Sequence, residues 1–169
     1  VTIIVSNAAA VRSHGFELDL SASITPGLMM SLGYAYNDAS YSASTQDTNL
    51  ASQQLSNAPK SVVTSSLVYL HDFAEQGWVG FFNANARFQT GINTGSDLDE
   101  QKYQGDYTVV NARIGLRDDV AGWELALWGK NIFDEDYYAI IIDAPVQAGS
   151  YNAFVGREAS YGISATLQF

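Results

Sequence analysis

Apolar and polar residues alternate with a period of two along most of the chain, and no segment carries the stripe of an amphipathic helix. In FELDLSASIT (16–25), Phe16, Leu18, Leu20, Ala22 and Ile24 fall on one side and Glu17, Asp19, Ser21, Ser23 and Thr25 on the other. That is the two-faced pattern of a β-strand. A TPG turn at 25–27 leads into LMMSLGYAYN, whose Leu28, Met30, Leu32, Tyr34 and Tyr36 share one side, so the two segments predict a hairpin. Further strands are predicted over 60–70, 77–90, 106–117, 122–133 and 157–169, and a short one, VTIIV, opens the chain. KSVVTSSLVYL (60–70) fits either register, so its facing stays open. The total is about eight strands, several of them near the ~9 to 11 residues that a tilted strand needs to cross a bilayer.

The connections alternate in length. Those at 25–27, 71–76 and 118–121 are short, whereas 38–59, 91–105 and 134–156 are long and rich in Asn, Asp, Ser, Gln and Gly. One rim of tight turns and one of long loops predict an all-β, transmembrane, antiparallel up-and-down β-barrel. With strand direction taken from the loops, Trp78, Trp123, Tyr69 and Phe169 lie at the short-turn ends. Phe16, Tyr34, Tyr36, Phe88, Tyr107 and Tyr161 lie toward the long-loop ends, giving two aromatic belts. The opposite face carries Asn83, Asn85, Arg87, Gln89, Asn111, Arg113, Arg117, Glu124 and Lys130, as expected of a polar lumen. A soluble barrel or sandwich has the same period with its faces exchanged. Strand length and the belts favour the membrane.

Composition narrows the function. Eighteen acidic against 8 basic residues give a net charge of −10, which repels nucleic-acid phosphates. Cysteine is absent, and with it disulfide scaffolds and thiolate metal sites. No phosphate-binding glycine loop, HExxH or G-x-S-x-G is present. His14 and His71 fall in predicted turns at opposite rims, too far apart for a shared site and read as solvated loop residues. Asp97, Asp99 and Glu100 lack the spacing of a calcium loop, and Asp134, Glu135 and Asp136 lack its glycine and distal glutamate, so both groups read as solvated loop charge. Glu17 and Asp19 are expected to partner interior arginines such as Arg87 or Arg113. These residues point to no catalysis, metal or cofactor.

The last forty residues resemble a known family. KNIFDEDYY (130–138) followed by VGREASYGISATLQF (155–169) is similar to the C-terminal end of TonB-dependent outer-membrane receptors. Asn131, Ile132, Phe133, Asp134 and Tyr137 match that family's N-(L/I)-(F/T)-D-x-x-Y box, Gly156 and Arg157 the start of its last strand, and Phe169 its aromatic end. SHGFELDLS (13–21) and NAPKSVVTSSLVY (57–69) resemble two further family strands in the family's order, with His14 where a basic residue is usual.

The resemblance implies that residues 1–169 are the C-terminal part of a larger barrel whose plug domain lies elsewhere. It implies uptake of a scarce ligand, most often a ferric siderophore, powered by the TonB complex acting through that plug. Tyr41, Tyr103, Tyr138, Tyr151 and Phe154 are then candidate ligand contacts on the loops. Arg87, Arg113 and Arg117 face the lumen or plug, and the Asn131–Asp134–Tyr137 box with Gly156 and Arg157 is structural. The closing strand, with Gly162, Leu167 and Phe169, resembles the signal read by the outer-membrane barrel assembly machinery. Loss of Phe169 is therefore expected to impair assembly. The implied partners are outer-membrane lipid, the ligand, the TonB complex and that machinery. A complete eight-stranded barrel with a structural or adhesin-like role, and a soluble carbohydrate-binding sandwich, are the competing readings.

Overall fold

The computed structural model describes residues 10–45 and 50–168. The predicted VTIIV strand and Phe169 lie outside them. The strands are β1 (Val11–Thr25), β2 (Leu28–Tyr41), β3 (Ser61–Phe73), β4 (Trp78–Gln89), β5 (Ile92–Asn93), β6 (Tyr103–Gln104), β7 (Tyr107–Asp118), β8 (Trp123–Lys130), β9 (Tyr138–Asp143), β10 (Tyr151–Val155) and β11 (Ser160–Leu167). Seven of them form one antiparallel sheet in the order β1-β2-β3-β4-β7-β8-β11. The sheet is open, since β1 and β11 do not pair with each other. The long connections are more structured than their composition suggests: β5 pairs with β6, and β9 with β10.

Short turns hold the meander together. In the first, Pro26 presets its own φ and Gly27 takes φ +85, which a side chain would resist. In the third, the Asp118 carboxylate accepts the N–H groups of Val120 and Ala121 at 2.9 and 2.8 Å.

The register resolves which residues share a face. One row runs Leu20, Leu32, Ser65, Ala86 and Val110, and another Tyr69, Phe82, Ile114, Leu127 and Ile163. The ambiguous strand therefore puts Val63, Leu67 and Tyr69 on the apolar face, and Val62, Thr64, Ser66, Val68 and Leu70 on the other. Phe16, Leu18, Leu20, Met30, Leu32, Ile114, Leu125, Leu127 and Ile163 are each at least 45% exposed. Among the described residues, the buried hydrophobic residues are only Ala39, Phe81, Ala126 and Ile141. Among the described residues no second layer covers this sheet, so its greasy face is not buried against them and needs a nonaqueous neighbour.

Two expectations about the belts and the histidines change. Tyr107 lies opposite Gln89 on the polar face, not on the apolar belt, and stacks on Tyr137 at 4.4 Å and 10°. His14 and His71 are strand residues of β1 and β3 rather than loop residues. His14 Nε2 lies 3.7 Å from Asp38, and His71 packs edge-on to Phe73 at 4.7 Å.

Candidate functional site: the long-loop rim and the polar face

The polar face is built from amides and cations placed by strand alternation. Asn111 donates to Asn85 Oδ1 at 2.8 Å, and its own Oδ1 accepts the Asn131 N–H at 3.0 Å. Arg113 lies over the Phe81 ring at 5.1 Å, pairs with Glu124 and reaches Ser164 Oγ at 3.4 Å. Arg117 Nε sits 3.1 Å from Asp119, and Arg87 donates to Gln89 at 3.1 Å. Glu17 and Asp19 form no ion pair with Arg87 or Arg113: β1 lies three strands from β4 and four from β7, and Glu124 on the adjacent β8 already holds Arg113. Apolar groups share this face: Trp128 lies above Gly162, where a Cβ would fall 2.4 Å from Trp128 Cζ2, and the Lys130 ammonium sits 5.6 Å from the Trp128 ring.

The motif at 131–137 is a polar knot. β8 ends at Lys130, and Asn131 turns the chain at φ +48 with its side chain almost wholly buried. Its amide donates to the carbonyls of Glu135 and Arg157, both at 2.9 Å, and its Oδ1 accepts the Glu135 N–H at 3.0 Å. Asp134 Oδ1 accepts the Ala159 N–H at 2.8 Å. Gly156 is required by close approach, because a Cβ there would lie 2.2 Å from Tyr137 Cζ. These bonds tie the end of β8 to the start of β11, whose pairing begins at Ser160 rather than at Arg157.

At the rim, the connection over 90–106 and the β9–β10 ribbon are joined into one unit. Lys102, whose side chain is 4% exposed, donates to Asp97 of its own loop at 2.6 Å and to Asp143 of the ribbon at 2.7 Å. Burial would lower the Lys102 pKa, but the two carboxylates outweigh it and hold it above the ordinary 10.5. Burial likewise pushes Asp97 up, and is overcome by hydrogen bonds from Lys102 and the Asp99 N–H, leaving it below 3.8. The Thr94 hydroxyl accepts the Ile141 N–H at 2.9 Å, and Gln104 Oε1 accepts the Tyr138 N–H at 2.7 Å. Tyr151 donates to Asp99 at 2.7 Å, which lowers the Asp99 pKa and raises that of the phenol. Asn57 of the connection after β2 joins through its N–H to the Asn93 carbonyl at 2.9 Å.

The candidate loop aromatics are distributed unevenly over this rim. Tyr103, Tyr138 and Tyr151 belong to the joined unit, with Tyr103 the most exposed of the three. Phe154, opposite Ile140, lies on the ribbon face away from Ile141 and Thr94, and Tyr41 closes β2 beside the 42–60 connection. Lys102, Thr94, Gln104 and Asp143 escaped sequence reasoning, because a lone loop lysine carries no local sign of partners 41 residues away. Among the described residues, no group of three His, Asp or Glu side chains is arranged to hold a metal ion.

An antiparallel meander with one uncovered apolar face, one amide-rich face, and long and short rims defines the class of membrane β-barrels. The model of the TonB dependent receptor-like β-barrel family matches residues 2–132, and the chain belongs to that family. Members are outer-membrane receptors of Gram-negative bacteria. The chain is 31% identical over 147 residues to the ferric-pyoverdine M114 receptor PbuA of Pseudomonas sp., covering 80% of this chain and 16% of that protein. It is 33% identical over 135 residues to the metal-pseudopaline receptor CntO of Pseudomonas aeruginosa, covering 78% of this chain and 18% of that one. The chain thus spans less than a fifth of the curated relatives it matches. In structure it superimposes on the ferric yersiniabactin uptake receptor FyuA from Yersinia pestis with a TM-score of 0.81 at 16% identity, over 94% of this chain and 24% of that one.

Proposed function

We propose that the chain is the C-terminal part of an outer-membrane barrel that takes up a ferric siderophore or a similar metal chelate, driven by the TonB complex through a plug domain contributed by another part of the receptor. The observation that carries the membrane reading is the apolar face. From Phe16 to Ile24 on β1 and across every paired strand to β11, it bears no charged side chain between the His14–Asp38 pair at one end and His71 and Asp118 at the other. A charge near the midplane of such a band costs roughly 2 to 4 kcal/mol, so its absence over seven strands is what lipid contact demands. The chelate reading is supported by the ligands in the names of PbuA and CntO.

In this reading Tyr103, Tyr138 and Tyr151 contact the ligand from a preassembled wall, with Tyr41 and Phe154 at its margins. Arg87, Arg113 and Arg117 face the lumen and plug, and Gly162, Leu167 and Phe169 form the C-terminal signal read by the barrel assembly machinery. The test is uptake of radiolabelled ferric chelates by cells whose only copy of the intact receptor is wild type, Tyr103→Ala or Tyr138→Ala. The reading expects receptor-dependent uptake, weakened by either change. Uptake that is independent of the receptor for every chelate tried would overturn it.

A further inference from the structure

We propose that the apolar face carries, at its short-turn end, a seat for one zwitterionic phospholipid of the phosphatidylethanolamine type, with an acyl chain in a trench floored by Gly80, the phosphate at His71 and the ammonium at Asp118. The inference rests on the membrane reading above. The trench, of about 820 Å³, crosses β3, β4, β7 and β8 between Tyr69, Phe73, Phe82, Ile114, Leu116 and Leu125. It exists because the row His71, Gly80, Leu116, Leu125 has no side chain at its second position. A Cβ on Gly80 would already lie 3.0 Å from Phe73 Cε2 and 3.6 Å from Leu116 Cδ2.

Three features select the headgroup. His71 stands on the trench wall with Tyr69 Oη 3.5 Å from Nδ1, and Nε2 has no partner among the described residues. A ring nitrogen held at the level of the aromatic belt is suited to a phosphodiester oxygen. One row further toward the rim lies Asp118, opposite Trp123, whose ring meets Trp78 at 5.5 Å. Only Oδ1 of Asp118 is engaged, by the turn N–H groups, which leaves Oδ2 for a cation. His71 and Asp118 stand one row and two strands apart, about 12 Å between Cα positions at about 3.4 Å per residue and about 4.8 Å per strand, a gap that the reach of the two side chains and an extended ethanolamine headgroup close together.

The rim's charge completes the argument. Asp72, Glu75, Asp118 and Asp119 surround a single arginine, Arg117, that is already paired with Asp119. Such a rim repels an anionic headgroup and accepts one that carries its own ammonium.

The test is native mass spectrometry of the intact receptor released from nanodiscs of equal phosphatidylethanolamine and phosphatidylglycerol, with insertion read separately by heat-modifiable migration. Retained ethanolamine lipid should exceed glycerol lipid by about two- to fivefold, the range of one interfacial ion pair. His71→Gln, and Asp118→Asn, which keeps the turn-capping oxygen, should each bring the ratio toward one. Failure to insert would overturn the membrane reading itself. Insertion with equal retention of the two lipids, or a preference unchanged in both variants, would overturn the lipid seat alone.

Discussion

Lys102 of the 90–106 connection and Asp143 of the β9–β10 ribbon meet at 2.7 Å, 41 residues apart, with the lysine side chain almost entirely out of solvent. With Asp97, Thr94 and Gln104 this contact makes two long loops one body, so the rim aromatics Tyr103 and Tyr138 are presented on a common support. Lys102→Met keeps the side chain's length and removes its charge. Both carboxylates are more than half exposed (55% and 68%), so solvent shares the loss, and the cost should be about 1 to 2 kcal/mol. Hydrogen exchange should quicken at the Ile141 and Thr94 amides while the β3 and β4 amides keep their protection. Uniformly faster exchange would show the loops are not a separate unit.

The charged groups of this joined loop unit set a pH window. The Asp97 and Asp99 pKa values are lowered from 3.8 in the folded chain, so their contribution is present above 3.8 and is lost as pH falls through the lowered values. That of Lys102 is raised from 10.5, so its contribution is complete below 10.5 and is lost as pH rises through the raised value. Ile141 amide protection should therefore be flat between these limits and fall outside them. A step near neutral pH would contradict the assignment.

Asn131 holds the 131–137 box together for a physical reason: its side chain makes three hydrogen bonds and the residue is 1% exposed. Asn131→Ala leaves the Glu135 N–H and two carbonyls without partners, at about 1 to 3 kcal/mol for a buried group left unmade, and loses an asparagine's tolerance of φ +48. Asn131→Asp keeps the acceptor but not the two donors, and should fall between the two. Thermal melting of the heat-modifiable folded form measures the order, and an alanine variant as stable as wild type would refute the knot.

Facing also predicts unequal costs for equal chemistry. Leu32→Arg, on the apolar face, should cost roughly 2 to 4 kcal/mol in a lipid bilayer, and Ser31→Arg, one residue away beside Ser66 on the polar face, much less. Equal losses on refolding into vesicles would remove the assigned faces.

Legibility in the sequence follows the range of the interactions. The period-two pattern of FELDLSASIT and the Pro-Gly turn placed β1 and β2, because alternation and turn chemistry are local. KSVVTSSLVYL could not reveal its register, since Val62 and Val63 are equally apolar, and only pairing of Val63 with Tyr34 and Phe88 decides it. The ribbon at 138–155 was hidden because its strands are short and its one buried residue, Ile141, is covered by another loop. Tyr107 departs from the expected belt because an aromatic near a strand end looks alike on either side, and its partner, Tyr137, stands thirty residues on.

The central claim is that the Phe82, Ile114, Leu127 and Ile163 face meets lipid and the Asn85, Asn111 and Arg113 face meets water. The chain has no cysteine, so in a background otherwise free of cysteine single replacements along β7, from Val109 to Leu116, can each carry a nitroxide in the intact receptor within a bilayer. Collision with oxygen, which partitions into lipid, and with a water-soluble nickel chelate then reports each side chain's surroundings. The account predicts strict alternation, with oxygen dominant at 110, 112, 114 and 116 and nickel dominant at 109, 111, 113 and 115. The reverse phase, or no alternation, would contradict it.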